Sequence, residues 1–176
     1  MHELLTVRLF GAPQISLGDS PVTDFITRKA EALFLYLVAT QRSHTRDALA
    51  SLLWVDADQQ RTKKNLRDIL PNLRERFGEY LLITRDSITF NAALPYWSDL
   101  ERFQTPLQPI TPSIEDIHTA VGLYCGEFLE GFHVRGAPNF EEWMLLERER
   151  LHETYVQGLH TLADHHIEQQ DHFAAL

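Results

Sequence analysis

The period of the hydrophobic pattern changes twice before residue 91, from strand to helix and back to strand. This order limits the folds that the chain can adopt. Apolar residues alternate with period two at the start, as in a half-buried strand, and recur at helical spacing from Thr27 onward. The strand pattern then returns on both sides of Arg85 and Asp86, which indicates a β-hairpin. The predicted strands are 4–10, 14–17 and 22–25, with a turn at 18–21, followed by the hairpin strands 80–84 and 87–91. This order predicts an α+β domain that begins as a small antiparallel sheet.

Three helices are predicted between the first strands and the hairpin. Thr27 is a suitable N-cap for the first helix, and Thr45 is a suitable N-cap for the second. Asp56 and Gln59 have the spacing of a capping box, which opens a third helix that stops at Gly78. The predicted helices are 28–39, 46–54 and 56–77.

The third helix has an apolar stripe and a basic outer face. At about 100° per residue, the stripe contains Leu66, Ile69, Leu70, Leu73 and Phe77. Arg61, Lys64, Arg67 and Asp68 project from the opposite side, while Lys63 and Arg74 flank the stripe. Six basic and two acidic residues fall between Gln59 and Gly78. Pro71 removes the hydrogen bond to the Arg67 carbonyl and is expected to kink or end the helix, which favours residues 61–67 for insertion into a groove.

A short helix followed by a basic helix is the arrangement of a helix-turn-helix, which presents its second helix to the major groove of DNA. A charged helix face is most often simply solvated, but the preceding strands and the following hairpin favour a DNA-binding unit. The predicted major-groove contacts are Arg61, Lys63, Lys64 and Arg67. The predicted phosphate contacts are Thr45, Arg46 and Arg74, and Arg85 is the predicted contact of the hairpin as a wing.

The second half of the chain differs from the first in its charge and in its hydrophobic pattern. Residues 1–102 hold thirteen basic and thirteen acidic residues, whereas residues 103–176 hold three and twelve and account for the net charge of −9. Three prolines fall between Gln104 and Pro112, and such a segment favours an extended, semi-rigid linker. The predicted division is a domain at 1–103, a linker at 104–111 and a second domain at 112–176.

The pattern beyond the prolines is helical. One helix is predicted through the repeat formed by Ile117, Val121, Tyr124 and Phe128. Asn139 and Glu142 have capping-box spacing and open a long helix that continues through Leu162. Residues 171–176 resemble the start of a further helix.

Other functional classes find little support in the sequence. Cys125 is the only cysteine, which excludes an internal disulfide and a zinc site built from several cysteines. His160, Asp164 and His165 lie on neighbouring turns, but a polar helix face explains them without a metal. No phosphate-loop, serine-hydrolase or zinc-protease motif occurs, so we expect no enzyme, no cofactor and no metal site. The first residues lack a signal-peptide pattern and the longest apolar run has eight residues, so we expect a cytoplasmic protein with no membrane partner.

Five segments resemble the antibiotic-regulatory (SARP-like) transcriptional activators. The segments similar to their OmpR/PhoB-type winged helix are Thr27–Ala30, Ser43–Trp54 and Asn65–Arg74. The segments similar to the bacterial transcriptional activator domain that follows it are Leu123–Phe132 and Phe140–Leu151. The resemblance implies a recognition helix at about 58–77 and a second domain of tetratricopeptide-like helix pairs for self-association or signal input. The family's helical domain normally continues past residue 176, so the resemblance predicts the N-terminal part of a longer regulator or a truncated relative.

This chain departs from the family in two places. Pro71 stands where the family usually has a helix former, and the hairpin lacks the Gly-Tyr pair that is common in response-regulator relatives. The prediction is nevertheless a sequence-specific transcription regulator with an α+β winged helix-turn-helix domain followed by an all-α tetratricopeptide-like domain. Its expected partners are double-stranded DNA, further copies of the chain on DNA, and RNA polymerase. The alternative is a tetratricopeptide-like protein-interaction adaptor without significant DNA binding.

Overall fold

Strands and helices alternate in the first half of the chain, and helices predominate in the second. The structure is a computed structural model that describes residues 3–55, 58–108 and 112–168. Its strands are β1 (Leu5–Arg8), β2 (Gln14–Leu17), β3 (Ser20–Pro21), β4 (His44–Thr45), β5 (Leu81–Ile83), β6 (Ser87–Phe90) and β7 (Tyr96–Ser98). Its α-helices are α1 (Arg28–Thr40), α2 (Arg46–Leu53), α3 (Gln59–Phe77), α4 (Asp99–Gln104), α5 (Ile114–Leu123) and α6 (Pro138–Glu168). The fold is thus a mixed α/β region with sheets followed by helices.

The first sheet has the strand order β3-β2-β1-β7. β1 pairs antiparallel with β2 and parallel with β7, and its Leu5 and Val7 are fully buried while Arg8 is exposed. The strand predicted at 22–25 is wrong, because the third strand is β3 and ends at Pro21. Phe25 leaves the sheet and packs its ring against Phe34 and Phe77, with ring centroids 6.4 and 5.8 Å apart. β7 was not predicted.

The second sheet contains the predicted hairpin. β5 and β6 pair antiparallel, and β4 adds to the other edge of β6 through the pairs His44↔Ile88 and Thr45↔Ser87. The turn is closed by Thr84, whose Oγ1 accepts hydrogen bonds from the backbone N–H of Ser87 at 2.9 Å and of Asp86 at 3.3 Å. The turn residues Arg85 and Asp86 include neither Gly nor Asn, and the hydrogen bonds of Thr84 stabilise the turn instead.

The predicted caps of α1 and α2 are confirmed. Thr27 Oγ1 accepts from the Ala30 N–H at 3.1 Å, and Thr45 Oγ1 accepts from the Ala48 N–H at 3.2 Å. The predicted start of the third helix needs correction, because α3 begins at Gln59 with Asp58 as its N-cap. Asp56 lies outside the described residues.

The apolar stripe of α3 lies in the core, as predicted. Leu73 is fully buried and Phe77 stacks on Phe34 of α1 with ring centroids 3.6 Å apart. The helix ends at Gly78, as predicted, but it continues through Pro71 and does not end there. Because helical hydrogen bonds on both sides of Pro71 and a buried stripe hold the helix, the loss of one bond is tolerated.

A loop attaches the second half of the chain to the first sheet. The predicted helix through Phe128 is wrong, since α5 ends at Leu123 and Phe128 forms a β-bridge with Phe10. Leu129 donates its backbone N–H to the Leu9 carbonyl at 2.8 Å, which continues this pairing. Arg148 of α6 fixes the loop by donating from Nε to the Phe128 carbonyl at 2.6 Å. Pairing with the distant backbone of Leu9 and Phe10 therefore overrides the helical spacing of these residues.

The long second-half helix begins two residues earlier than expected, since an N-cap at Asn139 predicts a first helical residue at 140. α6 starts at Pro138, a residue suited to the first helical turn, so Asn139 does not serve as the predicted N-cap. The Asn139 amide instead donates to the Ser51 carbonyl of α2 at 2.9 Å. Residues 171–176, where a further helix is expected, lie outside the part of the chain that the structure describes.

The proline-containing segment is helical where the structure describes it. α4 runs through Gln104 and a 3₁₀ turn follows at Thr105–Leu107, so the extended linker predicted from residue 104 is wrong for these residues. Residues 109–111 lie outside the described ranges. Phe10 packs edge-on against Phe103 at 5.1 Å and beside Tyr124 at 4.8 Å, so the apolar core is continuous past this segment. The division at 1–103, 104–111 and 112–176 stays a prediction.

Gly158 allows α6 to approach α5 closely. A Cβ at this position would lie 2.9 Å from Cγ2 of Val121 and 3.4 Å from Cγ2 of Ile117. Replacing Gly158 by leucine is therefore expected to lower the free energy of unfolding by about 2 kcal/mol through overpacking, measured by urea denaturation. The matched control is Gly122→Leu, because nothing lies within 4 Å of a Cβ at Gly122. Equal stability of the two variants would show that this contact does not limit the packing of α5 on α6.

Candidate nucleic-acid interface

α3 presents the face that the sequence predicts. Leu66, Ile69 and Leu70 are at most 6% exposed, because they pack into the core on one side of the helix. The residues exposed on the other side are Arg61, Lys63, Lys64, Arg67, Asp68 and Arg74. These five cations therefore stand in solvent and can reach a partner without any rearrangement of the core.

An open groove lies between α2, α3 and the tip of the β5–β6 hairpin. Its volume is about 590 Å³. We call it the interface groove, and its lining residues are Thr45, Arg46, Asp47, Lys63, Leu66, Arg67, Arg85 and Asp86. Five of the eight predicted DNA-contacting residues thus line one surface, and they come from β4, α2, α3 and the hairpin turn. Two acidic residues, Asp47 and Asp86, also line the interface groove and were not predicted.

A second groove continues from the first along α3. It measures about 450 Å³, and we call it the Pro71 groove. It is lined by Arg46, Arg67, Leu70, Pro71, Arg74, Glu75 and Ile83. Arg46 and Arg67 line both grooves, and the second groove also brings in Arg74. Arg61 and Lys64 are exposed on α3 but line neither groove.

Backbone hydrogen bonds fix the hairpin tip beside the start of α2. The Arg46 N–H donates to the Asp86 carbonyl at 3.0 Å, next to the β4–β6 pairs. Arg85 therefore sits on a turn that is bonded both within the hairpin, through Thr84, and to α2. This short connection sets the relative positions of Arg85 and Arg46 in the interface groove.

Thr45 and Arg46 place polar hydrogens at the N-terminus of α2. Thr45 Oγ1 accepts the cap hydrogen bond, and its hydroxyl hydrogen is available to donate to another group. The Arg46 Nε atom is buried and has no hydrogen-bond partner among the residues that the structure describes. A helix N-terminus carries a partial positive charge, so this corner of the groove favours an anion.

Two of the lysines that are predicted to contact DNA form ion pairs with acidic side chains. Lys63 Nζ lies 2.9 Å from Asp47 Oδ1 on α2, and Lys64 Nζ lies 3.1 Å from Asp68 Oδ2 one turn along α3. Exposed pairs of this kind contribute only about 0–1 kcal/mol, so both lysines can exchange their partner for a phosphate. Arg61, Arg67, Arg74 and Arg85 form no ion pair within the described ranges.

The Asp47–Lys63 pair could not be found from the sequence. The two residues are sixteen positions apart on different helices, and only the packing of α2 against α3 brings them together. The Lys64–Asp68 pair has the four-residue spacing of neighbours on one helix face, so this ion pair could be predicted from the sequence. Asp86 follows Arg85 directly, and its place in the groove depends on the hairpin pairing with β4.

His44 lies in β4, directly before Thr45, and is half-buried. Its Nε2 is 2.8 Å from Thr40 Oγ1, and its ring packs 4.8 Å from the ring of Tyr36. Burial, followed by the nearby positive charge of Arg42, lowers the pKa of His44 below its ordinary value.

Acidification is expected to destabilise the fold through His44. Because the pKa is lower in the folded state, the unfolded chain takes up a proton at a higher pH than the folded chain does. The free energy of unfolding therefore falls as the pH drops below about 6.5, until the folded-state pKa is reached. Urea denaturation between about pH 7.5 and pH 5 is expected to show a shallower pH dependence for His44→Gln than for the unmodified chain. The control is the exposed His118→Gln, which keeps the full dependence; identical profiles for the two variants would refute the role of His44.

Two further features bear on other classes of function. Within the described ranges, no three or more His, Cys, Asp or Glu side chains come close enough together to bind a metal ion. None of the helices in those ranges combines the length and the hydropathy that crossing a lipid bilayer requires.

Comparison with known proteins identifies a shared fold. No protein-family model matches the chain, and no curated protein sequence matches it. Among solved structures, the chain is similar to Mycobacterium tuberculosis EmbR, determined in complex with a low affinity phosphopeptide. The TM-score is 0.73 at 20% sequence identity, and the match covers 96% of this chain and 47% of the EmbR chain. The chain therefore has an EmbR-like fold over nearly all its length and spans about half the length of EmbR.

Proposed function

We propose that this chain is a sequence-specific DNA-binding transcription regulator and that α3 is its recognition helix. In this proposal α2 and α3 form a helix-turn-helix, the β5–β6 hairpin is the wing, and residues 1–103 form an OmpR/PhoB-type winged-helix domain. The resemblance of the sequence to the SARP-like activators and the fold shared with EmbR support this reading.

The observation that carries the proposal is the interface groove. Predicted contacts from α2, α3 and the hairpin tip meet there, although they are separated by up to forty residues of sequence (Thr45 to Arg85). The leucines of α3 point into the core at the same time. A helix face that is only solvated gives no reason for cations from three elements to lie together. Binding of an elongated polyanion does, because several phosphates must be contacted at once.

The contacts divide by the part of the structure that carries them. We assign Arg61, Lys63, Lys64 and Arg67 on α3 to the major groove, where Arg and Lys bind guanine edges. Thr45 and Arg46 at the start of α2, and Arg74 near the end of α3, are assigned to phosphates. Arg85 is assigned to the DNA backbone or the minor groove beside the wing.

The second half has a different role in the proposal. We assign residues 112–176 to a tetratricopeptide-like domain, with 104–111 as its connection to the first domain, that associates with further copies of the chain or with RNA polymerase. The close packing of α5 on α6 at Gly158 supports a helix-pair unit. Because this half carries the whole net charge of −9, it repels DNA, and we propose that two chains bind together to give sufficient contacts.

The salt dependence of DNA binding tests the proposal. The affinity for duplex DNA is expected to fall steeply with salt, and Arg74→Ala is expected to reduce the slope of log K against log salt by about one, because Arg74 is an assigned phosphate contact. The control is Arg135→Ala, an exposed arginine in the loop before α6, which leaves the slope unchanged. Fluorescence anisotropy across a salt series measures both.

A protein-interaction adaptor is the second candidate function. Leu145 and Leu146 on α6 are 59% and 67% exposed beside an apolar groove that includes Val134 and Pro138. Such a surface suits a protein partner. An affinity for duplex DNA that does not change across the salt series would favour the adaptor over the regulator.

A further inference from the structure

Pro71 lies in the interior of α3, where proline is unfavourable, and its side chain is not buried in the core. Proline is strongly unfavourable relative to alanine at such a position, because it lacks an N–H and cannot bond the carbonyl four residues earlier. Pro71 is exposed, so packing in the core does not offset this cost. Positions that break a local rule without a structural gain are the places where a functional role is expected.

The position of Pro71 on α3 connects it with the predicted DNA contacts. Arg67, Pro71 and Arg74 follow one another at spacings of four and three residues, so they form one stripe on the helix surface. All three are exposed and line the Pro71 groove. The pyrrolidine ring is therefore an apolar surface between two arginines on the same side of the helix.

Beside its three arginines, the Pro71 groove contains groups that suit the edges of bases. Glu75 also lines it, and a carboxylate repels a phosphate but accepts hydrogen bonds from the amino groups of bases. Ile83, half-buried on β5, extends the apolar surface beside the proline ring. The thymine C5-methyl group is the apolar feature that the major groove offers to such a surface.

We infer that Pro71 is a specificity-determining residue that contacts the C5-methyl group of a thymine in the major groove. The arginines on either side, Arg67 and Arg74, hold the helix against the neighbouring guanine edge and phosphate. This inference rests on the proposed function and adds to it a base that the chain prefers and the side chain that reads it.

Replacing thymine by deoxyuridine removes only the methyl group, so it isolates this contact. The duplex is one selected from a random library by the full chain, and each thymine is replaced in turn. At one thymine we expect this replacement to weaken binding of the duplex by the unmodified chain about fourfold, which is the effect of one buried methyl group. Every other single replacement is expected to have a smaller effect.

Two variants separate the apolar contact from the helix backbone. Pro71→Ala and Pro71→Ser both restore the missing N–H, but only alanine keeps an apolar group that can contact the methyl. We expect Pro71→Ala to retain the preference for thymine over deoxyuridine and Pro71→Ser to lose it. Thermal unfolding serves as the fold control, and both variants are expected to be at least as stable as the unmodified chain.

Three results would overturn the inference. If Pro71→Ser discriminates as well as the unmodified chain, or if no thymine is sensitive while binding still depends on Arg67, the inference fails and the proposed function stands. If the unmodified chain binds no duplex at all, both fail together.

Discussion

Arg67→Glu is expected to weaken binding of the chain to its selected duplex by on the order of 100-fold. Arg67 lines both grooves beside Arg46 and forms no ion pair with any residue that the structure describes. Loss of one arginine contact to a base costs about 1–3 kcal/mol, and the new carboxylate adds repulsion from nearby phosphates. Anisotropy titration at fixed salt measures the effect.

The matched control for this prediction is Arg135→Glu. It makes the same change of charge at an exposed arginine outside the two grooves, so a general electrostatic effect would weaken binding equally in both variants. Circular dichroism is expected to show that both variants stay folded, since neither side chain is buried. Binding by Arg67→Glu as tight as that of Arg135→Glu would remove Arg67 from the interface.

Asp99→Ala is expected to lower the free energy of unfolding by about 3–5 kcal/mol. Asp99 is 3% exposed and its carboxylate accepts hydrogen bonds from the backbone N–H groups of Leu9 at 2.8 Å, Phe10 at 3.0 Å and Leu100 at 2.8 Å. Burial raises the pKa of Asp99, and these three N–H groups oppose that shift. Removing the side chain leaves three buried donors without an acceptor, at the junction of β1 and α4.

Urea denaturation at neutral pH measures this loss, with two comparison variants. Asp99→Asn keeps one carbonyl oxygen as an acceptor and is expected to lose less stability than alanine. Asp19→Ala removes an exposed carboxylate in the β2–β3 turn and is expected to stay within about 0.5 kcal/mol of the unmodified chain. A loss for Asp99→Ala no greater than that for Asp19→Ala would contradict the role of this carboxylate.

Local signals were sufficient to predict α1, α2 and the end of α3. Thr27 and Thr45 cap α1 and α2 through the neighbouring backbone, and Gly78 ends α3. The helical phase of Leu66 to Phe77 also predicts which face is buried, because an apolar stripe has one way to meet a core. Interactions within a few residues determine these features, so they can be derived from the sequence.

Long-range pairing accounts for the features that could not be predicted. β7 has three residues and exists by pairing with β1, some ninety positions earlier. Phe128 has helical spacing from Tyr124 but pairs with Phe10 instead. Nothing in the local sequence marks either partner, because the energy that decides these conformations comes from distant backbone hydrogen bonds.

The candidate site divides in the same way. The exposed cations of α3 follow from helical phase alone, whereas their grouping with Thr45, Arg46 and Arg85 depends on the pairing of β4 with β6. The pairing of Lys63 with Asp47 depends on how α2 packs against α3. Sequence therefore predicts the charge of the surface, and the tertiary structure determines which cations share a groove.

The attachment of the second half also emerges only from the structure. Asn139 at the start of α6 bonds Ser51 on α2, and Lys29 of α1 donates from Nζ to the carbonyls of Leu53 and Gly136 at 2.6 and 2.8 Å. The helix next to α3 is thus held by both halves of the chain. Polar contacts of this kind carry no periodic signal, so the sequence predicts the two halves but not how they join.

Protection of guanine N7 from methylation tests most directly whether the exposed face of α3 enters the major groove. N7 lies in the major groove and is an acceptor for Arg and Lys. We expect the full chain to protect specific guanines in its selected duplex, and Arg67→Ala to remove protection from at least one of them while the rest remain protected. Tight, salt-dependent binding with every guanine N7 still reactive would contradict it, because the chain would then hold DNA without placing α3 in the groove.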